Sequence, residues 1–98
     1  MNEFILIVLR SRTQVFGFQK LIKSSGIESE IVNTPKEIFV GCGLSIRINN
    51  KDFNEVKRLY QQYRPQSFVG FYNVIFDGYK NIILSVLWLT FKKYYDSI

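Results

Sequence analysis

Histidine is absent from this 98-residue chain. That absence removes the commonest metal ligand, the side chain suited to acid/base work near neutral pH, and every Cys–His nucleophile pair. Cysteine occurs once, at Cys42. A single cysteine cannot close an intramolecular disulfide, and without histidine it does not make a zinc site. No metal and no cofactor are therefore expected. A lone free thiol fits a reducing compartment, so the expected localisation is cytoplasmic. Long apolar runs are missing too. Phe4 to Leu9 is too short for a secretory leader. Ile82 to Phe91 is interrupted by Ser85 and Thr90 and falls short of the roughly 20 residues of a membrane span. No membrane span is expected. With no phosphate loop either, ordinary enzyme catalysis is the weakest reading.

What is present is apolar and aromatic. Hydrophobic residues make up 47% of the chain and aromatics 16%, enough for the core of one small domain without disulfides. Lysine and arginine number 13 against 8 acidic residues, a net charge of +5. The cations are spread along the chain with no dense block. They read as a solvated basic surface that permits an anionic partner, and nucleic-acid binding is not expected.

The patterning places the elements in order. Phe4 to Leu9 is a continuous apolar run and reads as a central strand. Ser11 and Gln14 have capping-box spacing, and Val15, Phe18 and Ile22, with Phe16 and Leu21 alongside, form the apolar stripe of a first helix. Gly26 suits its left-handed C-terminus. Ile27 to Asn33 alternates and fits an edge strand ended by Thr34-Pro35. After a loop over Lys36 to Gly41, Gly43 to Asn49 alternates as a half-buried strand. Asp52 and Glu55 suggest a second helix start, and Phe53, Val56, Leu59, Tyr60 and Tyr63 give its stripe. Phe68 to Phe76 is a fourth strand, closed by Asp77-Gly78.

The order strand, helix, strand, strand, helix, strand predicts an α+β fold of the ferredoxin-like split βαβ type (βαββαβ) over residues 1–78. Residues 79–98 are expected to be an added apolar extension. The Asp77-Gly78 turn would suit a hairpin strand there. A helix is preferred because Lys92 and Lys93 would then lie near its C-terminus.

In such a fold the third strand begins at the sheet edge where the first strand ends. Cys42, held between Gly41 and Gly43, should therefore meet Arg10, Arg12 and the first helix's N-terminus at Ser11 to Thr13. That setting favours anions and thiolates. The two glycines leave the sulfur open and allow positive φ. Lys36 could add charge from the loop, and Arg47, on the open face of the third strand, is a candidate anion binder. Beside this stands a plainer reading: lone cysteines often act as small buried hydrophobes, lysines in loops are usually solvated, and strand arginines likewise.

The residues also resemble a known family. Ser11-Arg12-Thr13 after the first strand, Ser25-Gly26-Ile27 at the helix end, Thr34-Pro35-Lys36-Glu37-Ile38, and Cys42-Gly43-Leu44-Ser45-Ile46-Arg47 are similar to the putative Se/S carrier protein-like domains over about residues 3–76. Val40 and Gly41 stand where that family often has small serines. The resemblance implies a cysteine, Cys42, that carries sulfur or selenium as a persulfide or perselenide, with Pro35, Gly43 and Arg47 as motif positions. It further implies donor and acceptor proteins as partners. The rival expectation is a non-catalytic ligand-sensing or dimerising module in which Cys42 only packs and the apolar tail makes a homodimer contact.

Overall fold

The computed structural model describes residues 2–38 and 40–86. Strand β1 (Asn2–Leu9) leads into helix α1 (Arg12–Ser24). Then come β2 (Ser29–Asn33), β3 (Leu44–Ile48), a single 3₁₀ turn at Asn50–Asp52, helix α2 (Phe53–Tyr63), β4 (Phe68–Phe76) and β5 (Asn81–Val86). The five strands form one sheet in the order β2-β3-β1-β4-β5, and every neighbouring pair is antiparallel. β3 thus runs back between β1 and β2, as expected. No described helix is long and apolar enough to cross a membrane.

Alternation along the strands gives the sheet two apolar faces. Ile5, Ile7 and Leu9 of β1, Ile46 and Ile48 of β3 and Phe71 of β4 pack with Val15, Phe18, Ile22, Phe53 and Val56 of the helices. Rings supply much of this core. Phe53 and Phe71 meet edge-on at 5.1 Å, and Tyr60 lies 4.3 Å from Phe68. On the opposite face Leu6, Val8 and Val74 are buried beneath Ile38. Ile38 belongs to the segment between β2 and β3, so this segment is not a solvated loop throughout. It crosses the second face and plugs it.

The helix ends follow local chemistry, with one rearrangement. The Ser11 hydroxyl accepts from the Gln14 N–H at 3.3 Å and caps α1. Gln14 does not close the box. Its Oε1 instead accepts from the Ser67 N–H at 2.8 Å, and the Ser11 N–H donates to the Ser67 hydroxyl. The start of α1 is therefore tied to the approach to β4. At the other end Gly26 takes φ 82, and the N–H of Ile27 returns to the Ile22 carbonyl. Asp52 makes no capping bond with its side chain, because the 3₁₀ turn already delivers the chain into α2. Phe16, expected beside the buried stripe, is 53% exposed.

The expectation of a third helix is corrected over Asn81–Val86, which is strand. The Asp77 carboxylate accepts from the N–H groups of Tyr79 and Lys80, both at 2.9 Å, and Gly78 adopts φ 99. Those bonds reverse the chain, and β5 then pairs with β4 from Asn81↔Phe76 to Val86↔Phe71. A turn so close to β4 presents the next residues to its free edge, and Ile82-Ile83 suits that ladder. The remainder of the expected helix, with Lys92 and Lys93, lies outside the described residues.

Candidate functional site

Cys42 sits where β1 ends and β3 begins. Its N–H donates to the Leu9 carbonyl at 3.3 Å, and the preceding glycine presses against the same strand end. A Cβ added at Gly41 would lie 3.0 Å from Val8 Cγ1 and 3.3 Å from the Leu9 oxygen, at a φ of 114. Only glycine meets both demands without displacement. Gly43, at φ 89, faces open space and is required for its backbone angle alone. Between them Cys42 is half-buried. Its side chain packs against the helix-side core, and its thiol donates to the Leu44 carbonyl at 3.6 Å.

The segment that carries the cysteine is closed at its base. The Thr34 N–H donates to the Gly43 carbonyl at 2.8 Å, and the Thr34 and Ser45 hydroxyls meet at 2.6 Å. Ser45 is fully buried, the one polar residue among the described residues that is. Within the segment the Ile38 N–H donates to the Pro35 carbonyl at 2.9 Å, making the turn that drops Ile38 onto the sheet. The thiol is therefore held by a loop with closed ends and a packed interior, not by a free tether.

Several of the expected site residues share this end of the sheet. Leu9 precedes Arg10, Ser11 and Arg12, so the bond from Cys42 to Leu9 brings the cysteine to the start of α1. Arg10, Arg12 and Thr13 are exposed there, and Ser11 is half-buried. The hydroxyl of Ser11 is spent on the Gln14 N–H, and its own N–H on Ser67. The N–H groups of Arg12 and Thr13, in the first turn of α1, have no acceptor among the described residues, as helix geometry dictates. Lys36 lies exposed on the turn after Pro35.

Arg47 does not join them. It pairs in register with Leu6 and with Glu30 on the face away from the helices. Its guanidinium is 3.5 Å from the Glu30 carboxylate and 4.4 Å from the Phe4 ring centroid. Phe71 of β4 is buried under the helices and offers no exposed ring on the sheet.

Three features of the site escaped the sequence reading: Ile38, the Thr34–Ser45 pair, and the Gln14–Ser67 tie. None of the three left a cue in the sequence, since each is a contact made only by the folded chain.

No curated protein and no solved structure matches the chain. A family model does, that of the "Putative Se/S carrier protein-like" domains, over residues 4–69. The match runs from β1 into the beginning of β4 and includes the whole cysteine segment. With two thirds of its length inside that match, the chain belongs to the Se/S carrier protein-like family.

Proposed function

We propose that this protein carries sulfur or selenium on Cys42 and hands it from a donor protein to an acceptor protein. The reading rests on family membership and on one local observation. The single thiol is half-buried and held on a closed loop at the N-terminal end of α1, between two glycines that add no side chains beside it. The strand order, with β3 between β1 and β2 and β4 on the far side of β1, is read as a ferredoxin-like sheet extended by β5.

The chemistry is a thiol exchange. A donor persulfide, R–S–SH, presents its terminal sulfur. The Cys42 thiolate, its proton gone to solvent, attacks that sulfur. The donor S–S bond breaks, R–S⁻ leaves, and a new S–S bond forms on Cys42. No net oxidant or reductant is consumed, because the oxidised sulfur moves as a unit. An acceptor thiolate reverses the exchange. Arg12, with Arg10 and the first-turn N–H groups beside it, is assigned the stabilisation of the anionic group, and Lys36 a supporting charge. Arg47 is given no part in it, since Glu30 and Phe4 already engage it. The test is whether Cys42 acquires a sulfane sulfur from a cysteine desulfurase supplied with cysteine. A Cys42→Ser chain should acquire none.

A second reading, a dimerising module, draws on β5. That edge strand has no charged residue, and Ile82 and Leu84 are 40% and 53% exposed. A thiol that reacts slowly with iodoacetamide in the folded protein, together with a concentration-dependent dimer, would favour it over the carrier.

A further inference from the structure

The exposed side of α1 combines cations with an exposed aromatic ring. At about 100° per residue, Arg12, Phe16, Lys20 and Lys23 fall within about 80° of one another, on a stripe centred about 120° around the helix from the buried Val15, Phe18 and Ile22. All four are exposed, Phe16 by 53%. Helix α1 contains no acidic residue. None of its three cations has an ion-pair partner among the described residues, and Arg10 adds a fourth exposed cation just before the helix. On α2, by contrast, Arg58 is paired with Glu55 at 2.8 Å. The stripe begins at the end of the sheet where Cys42 is bonded to Leu9.

We infer that this face of α1 is the docking surface for the protein that loads Cys42, and that the matching surface of that protein is acidic with an apolar seat for Phe16. The inference rests on the carrier reading. A partner that delivers sulfur must bring its own sulfur to within bonding distance of Cys42, so its footprint has to include the surface next to the cysteine. Unpaired cations along that surface steer and orient an acidic partner, and an exposed ring among them supplies the desolvated anchor that charge alone lacks. Nucleic acid fits less well. A site making about 6–10 phosphate contacts would need more cations than the three on this stripe and Arg10 beside it.

The experiment uses the full chain, a cysteine desulfurase with cysteine as the loading system, and two variants, Lys20→Glu/Lys23→Glu and Phe16→Ala. All three side chains are exposed, so both variants should fold. Sulfur transfer to Cys42 is expected to slow by about tenfold in the charge-reversed variant, and in the wild type to slow as NaCl is raised. Phe16→Ala should slow it at every salt concentration. Alkylation of Cys42 by the neutral reagent iodoacetamide should be unchanged in both. Transfer at the wild-type rate in the charge-reversed variant overturns the docking surface and leaves the carrier reading standing. A wild-type chain that is alkylated normally but takes no sulfur overturns both. Binding of a single-stranded oligonucleotide that the charge reversal abolishes, with transfer unchanged, reassigns the stripe to nucleic acid and contradicts the inference.

Discussion

The N–H of Cys42 donates to the carbonyl of Leu9 at 3.3 Å, joining the start of β3 to the end of β1. Leu9 lies two residues before Ser11, the cap of α1, so this one bond fixes the cysteine beside a helix start. The glycine before the cysteine makes that approach possible. Gly41→Ala would drive a methyl group to 3.0 Å from Val8 and hold alanine at a φ of 114. A loss of about 1–3 kcal/mol is expected, together with altered Cys42 reactivity. Gly43→Ala carries the backbone strain without the collision and should cost less. Urea denaturation of the two variants measures the difference, and equal costs would remove the close approach as the reason for Gly41.

The Thr34–Ser45 hydroxyl pair closes the base of the cysteine loop, with Ser45 fully buried and Thr34 half-buried. Ser45→Ala removes one partner and leaves the Thr34 hydroxyl without it, at an expected cost of about 1–2 kcal/mol. The loop should also loosen, so the rate of iodoacetamide alkylation of Cys42 should change along with stability. Ser45→Thr, which retains a hydroxyl, should restore the rate more than the stability, because the added methyl has to be packed. A changed stability with an unchanged alkylation rate would confine the pair to a structural role.

The turn into β5 is sensitive to acid. The N–H groups of Lys80 and Tyr79 bond the Asp77 carboxylate and hold its pKa below the ordinary 3.8. A depressed folded-state pKa means that the contribution is complete above the unfolded value and is lost as pH falls through the folded one. The amide shifts of Tyr79 and Lys80 should titrate together with a midpoint below 3.8. Asp77→Asn should keep the turn and abolish that titration. A midpoint at or above 3.8 would contradict the bonded turn.

Much of this arrangement was legible in the residues, and the parts that were not share a cause. The buried stripe of α1 and the alternation of β3 are periodic patterns, and each period points to one kind of element, while Phe4 to Leu9 is a run short and β-branched enough to point to a strand without a period. The order of those elements then brought Cys42 to the α1 start without any side-chain information. β5 was misread because an apolar run suits a buried helix as well as a strand. The choice between them rests on pairing with β4 and on the bonds of Asp77, and only the turn residues are visible locally. Ile38 and the Gln14–Ser67 tie are contacts between distant segments that leave no period behind. Phe16 followed the apolar rule for a helix face and broke it, and for that reason the exposed stripe of α1 stood out only in the structure.

Intact mass of the folded chain, after incubation with a cysteine desulfurase and cysteine, tests the central claim most directly. The wild type should gain the mass of one sulfur atom, the gain should map to Cys42, and a reducing thiol should remove it. Cys42→Ser should gain nothing. An unchanged wild-type mass, or an equal gain in Cys42→Ser, would contradict the assignment of Cys42 as the carrier.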